Sequence, residues 1–284
     1  MTQFEIFLVL LAGIVGLVIG SFLNVVAYRV PAGISLMRES RCPRCETPIK
    51  PWHNVPVIGW IALRGRCATC NAAISARYPL VEAITGVTFA LVTWSGLAQG
   101  RAQTDAYSTN YSGATLFAFV LIVVAFLYFA SISVALTLID LETHRLPNGI
   151  VLPSYVVAGV LFTVASWLLG DWAALLRAAS GMVILYVFYF LLRLVRPGGM
   201  GGGDVKLAGV IGLHLGWLGW GVLVVGAFAA FVFGGVFGIA LMAVRRADRK
   251  TAIPFGPWMI LGAWTGVFTG EVVGQWYTDL FIGA

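Results

Sequence analysis

Charge is what this sequence has least of. Asp, Glu, Lys and Arg make up 11% of its 284 residues, against 60% hydrophobic residues and a mean hydropathy of +0.91. A soluble domain is about one-quarter charged, so soluble enzymes and binding modules are excluded and a polytopic membrane protein is indicated. Other absences narrow the field. The first apolar run has no basic n-region and no small-residue cleavage pattern. It passes straight into Gly20-Ser21-Phe22-Leu23-Asn24 and reads as a retained helix, not a cleaved signal. No internal repeat, heptad pattern or low-complexity tail is evident. The glycine-rich stretch lacks the Gly-Lys-Ser/Thr ending of a phosphate loop, and no strand precedes a Gly-x-Gly-x-x-Gly. Cysteine is confined to four residues of one polar segment.

Apolar runs of about 20 residues fall at 4–27, 80–98, 114–138, 149–169, 173–195, 205–218, 220–244 and 255–278, which predicts about eight transmembrane helices. The 205–218 run is short and glycine-rich, so its depth in a bilayer is the least defined. Arg29, Arg38, Arg41, Arg44, Lys50, Arg64, Arg66 and Arg77 lie between spans one and two. Arg245, Arg246, Arg249 and Lys250 follow span seven, and Arg145, Arg193, Arg196 and Lys206 flank two aspartate-containing loops. With the N-terminus outside, alternation puts all of these on one face and leaves only Arg101 and Arg177 on the other. By the positive-inside rule the loaded face is cytoplasmic. The net charge of +6 then reports topology and requires no nucleic-acid partner. The expected location is a bacterial inner (cytoplasmic) membrane, with lipid as the surrounding partner.

The expected fold is an all-α polytopic membrane protein with a small cytoplasmic zinc-binding segment between spans one and two. Three parts follow: 1–27 as the first transmembrane helix, 28–78 as a four-cysteine, zinc-ribbon-like segment, and 79–284 as a seven-span domain. Pro147 and Pro153 bracket the start of span four. Pro197 with Gly198 and Gly199 ends span five, and Ile253-Pro254-Phe255-Gly256-Pro257-Trp258 opens span eight. Irregular backbone at membrane depth is tolerated only where protein buries it or it lines a wet cavity, so three such loops on one side predict a cavity.

Asp140 ends span three, and Asp204 closes Gly198-Gly199-Met200-Gly201-Gly202-Gly203. A carboxylate at the edge of a span is expensive to keep there. Span parity brings both to the same face although they are 64 positions apart (204 − 140). Two carboxylates sharing a site cannot both ionise easily, and such a pair can hold one proton. One member then acts as base on a water while the other polarises a peptide carbonyl. The glycines admit positive φ and let a second chain approach closely. The competing reading is structural: an aspartate at a span end often caps a helix, and glycine runs often serve tight packing.

Cys42-Pro43-Arg44-Cys45 and Cys67-Ala68-Thr69-Cys70 form two Cys-x-x-Cys knuckles. Cys42, Cys45, Cys67 and Cys70 can supply a closed tetrahedral structural zinc site. Disulfides are the alternative, and a cytoplasmic segment would keep its thiols reduced. His53 is superfluous once four sulfurs bind. About fifty mostly polar residues make a poor core, for which a metal is a sensible staple. Glu5 and Glu82 are expected to pair with Lys206 or an arginine, or to contact a substrate's basic end. His144 and His214 read as a loop residue and a helix-end residue without a site role. Trp217 and Trp220 fit interfacial belts and packing.

Gly201-Gly202-Gly203-Asp204 resembles the Gly-x-Gly-Asp signature of intramembrane aspartic proteases. The wider Gly199-Met200-Gly201-Gly202-Gly203-Asp204-Val205-Lys206-Leu207 is similar to the version in bacterial prepilin peptidases. Asp140 through Pro147-Asn148 resembles that family's first aspartate motif. Gly20-Ser21-Phe22-Leu23-Asn24-Val25-Val26, Arg29-Val30-Pro31, Arg77-Tyr78-Pro79-Leu80-Val81-Glu82 and the Ile253-to-Pro257 segment agree as well. Glu142 stands where many members have a second acidic residue, often Asp, Asn148 stands where Asp is common, and the loop between spans two and three is longer than expected. The resemblance implies that Asp140 and Asp204 are a catalytic pair that hydrolyses the leader of type IV prepilins or type II secretion pseudopilins after a glycine. It also implies methylation of the new N-terminal amine with S-adenosylmethionine, an activity linked to the cysteine loop. Two rivals stand beside it: an ion-coupled transporter, which should show inverted repeats, and a membrane-bound zinc scaffold of pilus machinery.

Overall fold

The computed structural model describes residues 2–107, 112–196, 200–244 and 254–281. Pro197, Gly198 and Gly199, the basic Arg245, Arg246, Arg249 and Lys250, Ile253, and residues 108–111 of the polar outer loop lie outside the described residues. Among those described there are nine α-helices, a single 3-10 turn at Pro51–His53 and no strand. The helices are α1 Gln3–Arg29, α2 Ile58–Ala62, α3 Arg77–Tyr107, α4 Gly113–Thr143, α5 Asn148–Leu169, α6 Trp172–Val195, α7 Gly202–Leu218, α8 Trp220–Ala243 and α9 Gly256–Phe281. The all-helical expectation holds, and every run read as a span corresponds to a helix. Six are long and apolar enough to cross a membrane: α1, α3 over Arg77–Arg101, α4, α5, α6 and α8. The 17-residue α7 and α9, which carries Glu271 and Asp279, are not among the six.

Local chemistry sets the helix ends. The Thr2 hydroxyl accepts the Glu5 N–H at 3.2 Å while the Thr2 N–H reaches the Glu5 carboxylate at 2.7 Å, a capping box that starts α1. Asp171 caps α6 by accepting the Ala174 N–H at 3.0 Å. Pro147, at extended φ and ψ, precedes the first residue of α5. His144 takes a left-handed φ of 51° to end α4 directly after the Asp140 turn.

The chain forms two compact units. The first contains α1 to α3, the cysteine segment and the Ala130–Ala135 stretch of α4. In it α1 packs along α3, and the two motifs 20–26 and 77–82 meet. The Asn24 side-chain N–H donates to the Tyr78 carbonyl at 3.2 Å. The second unit holds the rest of α4 with α5 to α9. There α6 packs on α7 and α8 on α9, and α7 also touches α5, α8 and α9. Helix α7 is buried from Leu207 to Trp217, as expected of a helix that is apolar all round. Its contact with α6 runs through glycine: a methyl on Gly212 would lie 2.2 Å from the Gly181 carbonyl oxygen.

Candidate functional site

Asp140 lies in the last turn of α4, 4% exposed. Its Oδ2 accepts the N–H of Gly256, the first residue of α9, at 3.1 Å. Asp204 is the third residue of α7, and its Oδ2 accepts the Gly201 N–H at 3.0 Å. Each carboxylate is therefore held through one oxygen at a helix N-terminus, where free backbone donors point outward. Leu146 fills the corner between them. A Cβ on Gly203 would lie 2.8 Å from the Leu146 Cβ, and one on Gly256 would lie 3.6 Å from the Leu146 Cδ1. The loop after α4 and the starts of α7 and α9 thus converge, and Asp140 and Asp204 interact electrostatically.

Among the described residues neither aspartate forms an ion pair. Lys206, two positions past Asp204, instead donates from Nζ to the Asn148 Oδ1 at 2.9 Å. That bond ties the first turn of α7 to the first residue of α5. The Tyr155 hydroxyl also donates to the Lys206 carbonyl. Tyr189 of α6, 2% exposed, lies within the field of Asp204 and joins the rings of Phe231 and Phe255. Sequence reasoning assigned no role here to Gly256, Lys206, Asn148 or Tyr189. The signals for three of them were visible: Gly256 inside the proline-flanked motif, Lys206 beside the glycine run, and Asn148 after Pro147.

Other expectations come out in part. Glu5 pairs with Arg101 at 2.6 Å, as an arginine pairing required. Glu82 accepts the Val57 N–H at 2.7 Å and, among the described residues, forms no ion pair. His214 is fully buried a turn inside the end of α7, stacked on Phe129 with Phe126 and Phe162 edge-on. Trp220 is half exposed, whereas Trp217 is buried and stacked on Phe162 at 4.5 Å. It packs the core; it does not belong to an interfacial belt.

The four cysteines are free thiols gathered in the first unit, their sulfurs all within 4.8 Å of one another. Cys42 and Cys70 are 3.8 Å apart, Cys45 and Cys67 4.0 Å. Metal–sulfur arms of about 2.3 Å in a tetrahedron give edges of about 3.8 Å, so the group has the dimensions to hold a metal ion. His53 is not part of it. The two knuckles share one backbone design. Cys42 N–H donates to the Thr47 carbonyl and Cys67 N–H to that of Ala72, at 3.0 and 2.8 Å. Glu46 and Asn71 take positive φ of 55° and 56°, and Arg41 bridges Pro48 as Arg66 bridges Ala73. This is an internal repeat, legible as Arg-Cys-x-x-Cys-x-x-x-Ile at 41–49 and 66–74, that the sequence reading missed. The Thr47 hydroxyl and amide beside Cys45 pull its thiol down to about 6, and the backbone N–H groups of Cys70 and Thr69 lower that of Cys67. Both favour the thiolate, the form that binds metal, whereas burial and the neighbouring thiols push the Cys70 thiol up to about 11.

Comparison with known proteins bears on the whole chain. Residues 14–96 match the Bacterial Peptidase A24 N-terminal domain, and residues 127–239 match the type IV leader peptidase family. A protein of Aeromonas salmonicida named prepilin leader peptidase/N-methyltransferase is 33% identical, covering 94% of this chain and 92% of its own. Proteins of the same name from Neisseria gonorrhoeae and Pseudomonas aeruginosa are 34% and 31% identical, each covering 93% of this chain and 91% of the relative. No solved structure matches. The two matched domains and these full-length relatives establish that the chain belongs to the type IV leader peptidase family.

Proposed function

We propose that this protein cleaves the leader of type IV prepilins or type II secretion pseudopilins after a glycine, using Asp140 and Asp204, and methylates the amine it exposes. The observation that carries the reading is the pair of carboxylates at two helix N-termini, each held through Oδ2 and without an ion pair among the described residues. The family membership and the name of its relatives support it.

In this reading each Oδ1 faces the reaction. The ionised member takes a proton from a water whose oxygen attacks the scissile carbonyl, and the protonated member donates a hydrogen bond to the carbonyl oxygen. The C–N bond of the tetrahedral intermediate then breaks as the amine receives a proton, with no covalent enzyme intermediate. A helix hides its carbonyls in internal hydrogen bonds, so the substrate must enter extended, alongside Gly201, Gly202 and Gly203. The methyl donor is S-adenosylmethionine, and Cys42, Cys45, Cys67 and Cys70 hold a structural zinc that staples the 28–78 segment. The protein crosses a bacterial inner membrane eight times, α7 and α9 included, with residues 79–284 as the peptidase domain. The aspartates face the cytoplasm, where the basic leader of a prepilin lies.

The test is processing of a purified prepilin by detergent-solubilised protein, followed by mass spectrometry. Asp140→Asn and Asp204→Asn should each slow cleavage by at least about 10²-fold, and normal cleavage by either variant, correctly inserted, rules out the pair. Reporter fusions at the loops after α1 and α4 check the orientation, and an external location for either refutes it. A zinc scaffold would keep its function in the aspartate variants.

A further inference from the structure

Leu146 is the side chain that the two aspartate-bearing segments share. Gly203, directly before Asp204, faces it closely. A Cβ on Gly203 would lie 2.8 Å from the Leu146 Cβ and 3.4 Å from its Cγ and Cδ1. On the other side, the Leu146 Cδ1 lies 3.6 Å from where a Cβ on Gly256 would stand, and the Gly256 N–H holds Asp140. Both helix starts are thus bare where this leucine is full. Leu146 itself is only half-buried, so part of its surface meets whatever enters between the carboxylates.

The backbone holds this wall in place. Pro147 follows Leu146 and restricts it to extended conformations. Upstream, His144 is fixed at a left-handed φ of 51°, and its N–H donates to the Asp140 carbonyl at 2.9 Å. Downstream, the Pro147 carbonyl accepts the Ile150 and Val151 N–H groups at 3.0 and 3.1 Å, and the Lys206 Nζ ties Asn148 to α7 at 2.9 Å. The loop cannot carry Leu146 away, and the Gly203 and Gly256 backbones limit where its side chain can turn. It is a rigid stop beside the reacting groups.

We infer that Leu146 determines specificity at the cut: it occupies the volume that a side chain on the residue before the scissile bond would need, so that only glycine fits there. This role rests on the proposed peptidase function and gives its glycine requirement a physical cause. A carbonyl addressed by both carboxylates must lie between them. The α-carbon of the residue before the cut is bonded directly to that carbonyl carbon, whereas the α-carbon after it is one atom farther, through nitrogen. A Cβ before the cut is therefore the substrate atom brought nearest to the wall. One methyl group too many in a close apolar site is worth about 10- to 200-fold in discrimination, and a wall that cannot retreat realises that difference.

The test measures kcat/KM of the full-length protein in detergent on purified prepilins with glycine or alanine immediately before the cut, and on a third with alanine immediately after it. Leu146→Ala should raise the alanine-to-glycine ratio before the cut by at least about tenfold and leave the preference after the cut unchanged. A merely structural leucine would lower both rates together and leave the ratio where it was. Leu146→Val, a smaller truncation, should move the ratio the same way and decides the matter if Leu146→Ala fails to accumulate. An unchanged ratio in an active variant overturns this role, as does a relaxation confined to the residue after the cut. Folded variants that cleave neither substrate assign Leu146 to holding the aspartates and overturn it too. A wild-type protein that takes alanine as readily as glycine before the cut overturns this role alone. One that cleaves no prepilin overturns the peptidase reading itself.

Discussion

The backbone N–H of Gly256 donates to the Oδ2 of Asp140 across 116 positions of sequence, at 3.1 Å. The contact leaves no room for a side chain: a Cβ on Gly256 would stand 2.7 Å from that same oxygen. Gly256→Ala should therefore push the carboxylate out of register and leave the helices in place. A misplacement of about 1 Å can reduce a rate about 10²-fold, so cleavage should fall by that order while thermal unfolding shifts little. Steady-state processing of a prepilin together with a melting curve checks both.

Removing either carboxylate is a more severe change. Asp140→Asn and Asp204→Asn preserve size and can still accept the Gly256 or Gly201 N–H, but neither can act as the proton-transferring group. The processing rate should drop by about 10²–10⁴-fold in each single variant. The double variant should be scarcely worse than either single one, because the pair works as a unit. A fully additive double loss would show that the two act independently.

The four-sulfur group should carry one zinc per chain, measured by elemental analysis of the purified protein. Less than about half an equivalent counts against the site. Cys42→Ser, at the buried member of the group, should lose the metal and make the 28–78 segment susceptible to limited proteolysis. Chelation of the wild-type protein should reproduce that susceptibility.

Arg177 of α6 donates to the carbonyls of Gly216 and Trp217 at 2.8 and 2.6 Å. It satisfies the C-terminal end of α7, where carbonyls lack helical partners. Arg177→Ala should lower stability by about 2 kcal/mol, the scale of hydrogen bonds to a charged group, with Arg177→Lys recovering part of it. Thermal unfolding in detergent reads the difference.

Much of the fold was legible because a bilayer allows few solutions. Every apolar run of suitable length became a helix, and a proline marked the break at Pro147. Period and propensity do not show what surrounds a helix, so the sequence left the depth of α7 undefined and did not show that it is packed on several sides. For the same reason the choice between belt and packing for Trp217, and the burial of His214, were not legible, since an aromatic or a histidine near a helix end looks alike whether it faces lipid or protein. The repeat between the two knuckles lay in the spacing of Arg, Cys and Ile, and dissimilar residues between those positions concealed it.

By itself the sequence determined the membrane class, the two aspartates, the four cysteines and the family resemblance, because these rest on composition and on short motifs whose spacing is local. The tertiary structure alone decided which oxygen of Asp140 is held and by which backbone N–H. It also linked Lys206 to Asn148 and gave the Glu82 carboxylate to the Val57 N–H. These contacts join residues 25 to 116 positions apart. Chain spacing cannot encode them, since they exist only once helix packing has fixed which ends lie side by side.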